Sequence, residues 1–130
     1  MGMESGARCK ACGHTFRISE GGGFAFHLLR CDRRGETRSV TFDELGLIHL
    51  RYLKGLPGPY SVATAQHDQQ VKHKFTGKPL SERGYHAAVQ KYAGKHSCGG
   101  AFKFRAPPRC PRCHSADQMT DPSGGVIMYD

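Results

Sequence analysis

Two helical stripes and several short alternating runs set the frame of the chain. Thr41-Phe42-Asp43-Glu44 fits a capping box because Thr41 precedes Glu44 by three residues. Phe42, Leu45, Ile48, Tyr52 and Leu53 then recur at helical spacing until Gly55, Pro57 and Pro59 end the run, which predicts a helix with one buried face. A second helix is predicted from its cap Ser81 through Ala93, with Tyr85, Ala88, Val89 and Tyr92 inward and Gly94 as the stop. Toward the N-terminus, Thr15–Ile18 and Phe24–Arg30 read as two strands of a hairpin joined by Glu20-Gly21-Gly22-Gly23, with Cys31 closing the second. Toward the C-terminus, Ala101-Phe102-Lys103-Phe104-Arg105 alternates as a strand does. Residues 56–80 carry no such period and read mainly as loop, with a short strand at Val71–Phe75. The segment from Asp117 to Asp130 is either mobile or adds an edge strand.

Cysteine chemistry changes this picture more than any apolar run. Cys110 and Cys113 flank Pro111-Arg112, a spacing that lets a tight turn aim both sulfurs at one metal. His96 and Cys98 form a second short pair, followed by Gly99-Gly100, which permits a sharp reversal. Together His96, Cys98, Cys110 and Cys113 make a four-ligand zinc set, with the Phe face of the intervening strand packed beneath it. Cys9-Lys10-Ala11-Cys12-Gly13 repeats the knuckle spacing at the other end, and Cys31 supplies a third sulfur there.

In these residues the sequence resembles the zinc-ribbon family, whose two metal-binding knuckles sit at the ends of β-hairpins. The resemblance implies zinc at Cys98, Cys110 and Cys113, with His96 standing where ribbons more often have cysteine. The N-terminal hairpin departs from the family pattern: its fourth-ligand position is Arg34, and a guanidinium has no lone pair to donate. His14, His27, Asp32 or His49 are the visible substitutes; three cysteines plus water is another. A different partition is also open, in which Cys9 and Cys12 join Cys110 and Cys113 around one metal. Sequence proximity favours the separate hairpins, because shorter loops cost less entropy to close. One zinc is therefore expected at the C-terminal hairpin, and a second at the N-terminal one if its ligand set is completed.

Composition bounds the rest. Hydrophobic residues make up 38%, Trp is absent and glycines number 17, which leaves little for a large apolar core and makes metal a natural contributor to folding. No run approaches a membrane span, and the first residues lack the basic and apolar regions of a signal peptide. A cytoplasmic location is expected, where six closely paired cysteines favour metal over disulfides. From residue 72 to 112, ten lysines and arginines face one acid, Glu82, leaving +9 against the +8 of the whole chain. Such a surface suits a phosphate backbone, and Lys103, Arg105, Arg109 and Arg112 are the expected nucleic-acid contacts, with Phe102, Phe104 and Tyr92 as stacking faces where exposed. A zinc-stabilised protein-interaction module is the alternative. No nucleophile elbow or phosphate-cradling loop is present, and His67-Asp68 is the only adjacent histidine–acid pair, so no catalytic role and no small-molecule substrate are expected. A rubredoxin-like iron site is disfavoured by the mixed histidine–cysteine set.

The expected fold is α+β: zinc-ribbon β-hairpins at both ends and two helices between them. The segments are 1–38, an N-terminal ribbon-like hairpin; 39–94, a helical connection; 95–116, a C-terminal ribbon; and 117–130, a tail.

Overall fold

The computed structural model describes residues 2–129; Met1 and Asp130, the outermost residues of the expected first and last segments, lie outside them. The fold is α+β, with two antiparallel sheets and four helices among the described residues. In chain order the elements are β1 (Gly2–Cys9), β2 (Thr15–Glu20), β3 (Phe26–Cys31), β4 (Thr37–Thr41), α1 (Phe42–Leu45), α2 (Leu47–Gly55), α3 (Ala65–Lys74), α4 (Glu82–Ala93), β5 (Phe102–Lys103), β6 (Gln118–Thr120) and β7 (Val126–Tyr129). No described helix is long and apolar enough to cross a membrane.

The helices predicted from capping and periodicity form where expected. Thr41 Oγ1 accepts from the Glu44 amide at 3.2 Å to cap α1, and Ser81 accepts from the Gly84 amide at 3.1 Å to cap α4. Gly46, at φ 55°, separates α1 from α2. These helices close over a three-stranded sheet ordered β4-β3-β5. Leu29, Cys31, Val40, Leu45, Tyr52, Tyr85, Val89, Ala93 and Phe102 form the core between them. At its centre the Tyr52 and Tyr85 rings stack at 3.9 Å, and the Tyr85 hydroxyl lies 2.7 Å from His27 Nε2 and 2.8 Å from His49 Nδ1. Tyr92, expected inward, instead stands outside, with the Arg38 guanidinium 5.8 Å above its ring.

The strands pair differently from the sequence expectation. Thr15–Glu20 does not make a hairpin with Phe26–Cys31: β2 pairs with β1, whereas β3 pairs with β4 and β5. Gly21-Gly22-Gly23 is the crossing between the two sheets, and a Cβ on Gly22 would sit 2.3 Å from the Phe26 carbonyl oxygen. The second sheet is ordered β2-β1-β6, with β7 also on β1. Its central strand, Gly-Met-Glu-Ser-Gly-Ala-Arg-Cys, lacks the β-branched residues that mark strands. Its small residues serve close approach: a Cβ on Gly6 would lie 2.9 Å from Gly124 Cα. The tail thus adds edge strands, β6 and β7, interrupted by the turn at Pro122–Gly124.

The stretch read as loop contains α3. Its sequence AQHDQQVKHK has no apolar stripe, and polar anchoring replaces one. Buried Asp68 accepts from the Tyr60 amide at 2.8 Å and from Thr64 Oγ1 at 2.7 Å, while Lys54 Nζ donates to the Lys72 carbonyl at 2.6 Å and Lys72 Nζ to that of Gly58 at 2.8 Å.

Candidate metal centres

Three cysteine turns in this chain share one backbone design. The Cys9 amide donates to the His14 carbonyl at 2.9 Å, and the Gly13 amide returns to the Cys9 carbonyl at 2.9 Å. The Cys110 amide donates to Ser115 at 2.9 Å, and the His114 amide returns to Cys110 at 2.8 Å. The Cys31 amide donates to Glu36 at 2.8 Å, and the Gly35 amide returns to Cys31 at 2.9 Å. In each turn the fourth residue after the cysteine is left-handed: Gly13 at φ 76°, Gly35 at φ 77° and His114 at φ 64°. In each, the leading cysteine is buried and the residue three places on is exposed. That exposed residue is Cys12, Cys113 or, in the middle turn, Arg34.

The first and last turns face each other. Cys9 Sγ lies 3.5 Å from Cys113 Sγ and Cys12 Sγ 3.6 Å from Cys110 Sγ, and all four sulfurs are within 4.8 Å of one another. A tetrahedral ion with metal–sulfur bonds of about 2.3 Å separates its sulfurs by about 3.8 Å, so the tetrad fits such an ion. A disulfide needs about 2.05 Å, and all six cysteines are free. Backbone amides prepare the sulfurs for ionisation. The Cys12 amide holds the Cys9 thiol below its ordinary range. Burial alone would raise Cys110, but the amides of Cys113 and Arg112 bring it down to about 7. At Cys113 the Ser115 amide favours the thiolate, yet the neighbouring Cys9 thiol and the rest of the cluster push it up to about 12. Four thiols this close cannot all ionise without a cation among them.

The middle turn meets the His96–Gly100 turn. Cys31 Sγ is 3.4 Å from Cys98 Sγ, and Cys31, His96 and Cys98 form a second group within the same 4.8 Å limit. His96 Nε2 is bonded to the Glu36 carboxylate and Nδ1 accepts from the Cys98 amide at 3.3 Å, so a metal here would take the Nδ1 lone pair in place of that amide. The Phe102 ring stands edge-on to His96 at 5.6 Å, whereas Phe104, expected beneath the metal with it, packs on His86 at 4.5 Å. Among the described residues no fourth histidine, cysteine or carboxylate joins this group.

All seven ligands proposed from the sequence therefore lie in two clusters, but not in the hairpin-by-hairpin grouping that proximity favours. Cys9 and Cys12 meet Cys110 and Cys113, the alternative partition, while Cys31 meets His96 and Cys98 rather than being left over. The substitute fourth ligands are engaged elsewhere. His27 and His49 bind Tyr85 in the core, His14 stacks on Phe16, and Asp32 accepts from the Ala101 amide at 3.0 Å and pairs with Lys103 at 3.0 Å. Sequence reasoning read Cys31 as starting a knuckle but missed Glu36 and the pairing of that turn with His96 and Cys98. Gly35, four residues after Cys31 as Gly13 is after Cys9, marks the turn as a knuckle.

The Asp32–Gly35 turn joins the two clusters. Arg109, one residue before Cys110, donates from Nε to the Asp32 carbonyl at 3.2 Å and from Nη1 to that of His114 at 3.1 Å. A Cβ on Gly35 would meet Arg109 Cβ at 2.8 Å. Gly35→Ala therefore adds a clash to a left-handed backbone, and is expected to lower stability by about 1–2 kcal/mol or more. Denaturant titration of the metal-loaded chain measures this.

Fold and sites together define a small α+β protein with two candidate metal centres, each assembled from both halves of the chain. The chain belongs to the family described as Domain of unknown function (DUF8255), whose model matches residues 5–119, a span that includes both centres. No curated protein and no solved structure matches it.

Proposed function

We propose that this chain is a zinc-stabilised, non-catalytic module that binds nucleic acid. Four cysteines at tetrahedral separations suit zinc, a borderline-soft ion that prefers thiolates. Thiols kept free for metal suit a reducing, cytoplasmic setting. The observation that carries the binding reading is the state of the charges around the metal turns. Arg34, Arg105 and Arg112 are exposed and make no side-chain hydrogen bond or ion pair within the described chain. The nearby acids Asp32 and Glu36 are engaged by Lys103 and His96. Arg34 and Arg112 stand on cysteine turns and Arg105 on the turn after β5; metal at the two centres would fix the first two and lower the entropy lost on meeting a phosphate backbone. Of the four contacts expected from sequence, Lys103 is tied to Asp32, and Arg109 braces the two centres from a half-buried position; Arg105 and Arg112 remain, joined by Arg34.

Replacing Arg34, Arg105 and Arg112 together with Gln tests this. Binding to a nonspecific strand is expected to weaken, and its log–log salt slope to flatten by roughly two to three units, with zinc content unchanged. Absence of measurable binding by the zinc-loaded parent at low salt transfers support to the second reading, a protein-interaction module. That reading has its own observation: Met3, Val126 and Met128 expose apolar side chains on one face of β1 and β7, and Met119 and Ile127 on the other.

A further inference from the structure

We propose that the Cys31–His96–Cys98 centre holds its metal with one exchangeable position, and that this position takes a phosphate-class oxyanion directly on the ion. The three matching turns locate it. In the tetrad the second ligand of each knuckle, Cys12 or Cys113, is the exposed member of its turn, and the residue at the same place in the middle turn is Arg34. A guanidinium cannot ligate, so the vacant corner of the tetrahedron opens toward solvent on the Arg34 side.

Charge favours an anion at that corner. A divalent ion with two thiolates and a neutral imidazole is neutral, whereas the tetrathiolate centre carries −2 and is saturated. Arg33 lies over the opposing turn, its Nη1 donating to the Cys98 carbonyl at 3.1 Å, and Arg34 flanks the corner itself. Glu36 on His96 Nε2 orients the imidazole, the usual support of a ligating histidine. Asp32 does not compete for the metal, since its carboxylate is bound by the Ala101 amide and Lys103. The adjoining guanidiniums would hold the free oxygens of a bound phosphate, the pairing that arginine makes best.

This rests on the metal part of the reading above and shares Arg34 with the strand-binding part, from which it is told apart by its readout, the spectrum of the metal itself. The full chain is loaded with Co2+ in place of zinc, the metal stoichiometry is measured, and the visible ligand-field spectrum is followed during addition of inorganic phosphate, with chloride at matched ionic strength as control. Two cobalt ions per chain and a saturable spectral change with phosphate alone are expected. Arg34→Cys is expected to abolish that change and to add thiolate-to-cobalt absorption, while Arg34→Ala keeps the change at higher phosphate concentrations. A 5′-phosphorylated oligonucleotide acting at lower concentration than free phosphate, where its 5′-hydroxyl counterpart does nothing, supports the proposal with a strand end as the source. Equal or better action by free phosphate supports it with the free anion as ligand. Binding of one cobalt only, no phosphate response in the parent, or an unaltered response in Arg34→Cys overturns the proposal. Each of these leaves the tetrad and the salt-dependent binding to stand or fall on their own tests.

Discussion

Cys110→Ser should release one metal ion and unfold the β2-β1-β6 sheet, including β7, while the helical half keeps its packing. The asymmetry follows from where apolar burial lies. Every member of the core cluster belongs to β3, β4, β5 or the helices, and none to β1, β2, β6 or β7. The outer sheet instead exposes Met3, Met119, Val126, Ile127 and Met128. What ties it down is the tetrad, which joins residues 104 positions apart through Cys9 and Cys113 and 98 apart through Cys12 and Cys110. Metal binding of this kind is coupled to folding, so losing a buried ligand should cost several kcal/mol. Metal analysis should fall by one ion per chain. Amide exchange should become fast across Gly2–Cys9 but remain slow in α4. Protection retained in β1 would show that strand pairing alone holds the sheet.

The helices were legible because their information is local. The Thr41 and Ser81 caps, the stripes from Phe42 to Leu53 and from Tyr85 to Val89, and Gly94 all act within a few turns of chain. The ligand residues were legible as residue types, because Cys-x-x-Cys followed by a left-handed position writes the turn into the sequence. Their partition was not. Proximity favoured separate hairpins through loop entropy, yet each doubling of loop length costs only about 0.6 kcal/mol, too little to outweigh the sheet that brings the termini together. That sheet depends on Gly6 approaching Gly124, an interaction that leaves only small residues in the sequence rather than an apolar pattern. Similarly, α3 is held by Asp68, Lys54 and Lys72 on backbone groups, and a hydrophobic period cannot reveal such anchoring.

Stability should also fall steeply as pH drops from about 6.5 toward 4, through the histidines on Tyr85. Burial first, then the charges of His49 and His86, lower His27 to about 4. Burial also lowers His49 to about 4, with Asp68 and Asp43 opposing the shift and His67 adding to it. Tyr85 has one hydroxyl proton, so it donates to one ring and accepts from the other while both stay neutral. Unfolded histidine titrates near 6.5, so in this window the unfolded chain binds more protons than the folded one. The stability contributed by the neutral pair is complete above about pH 6.5 and is lost as pH falls toward 4. Between pH 7 and 5 the pair should account for about 3 kcal/mol. Protonation of metal-bound thiolates acts in the same direction, so the comparison needed is parent against His49→Gln, both metal-loaded, by denaturant titration at each pH. Gln can still bond Tyr85 but does not titrate, and the variant should lose roughly half of the histidine contribution. An identical acid slope in both proteins would remove His49 from the effect and leave it to His27 and the metal centres.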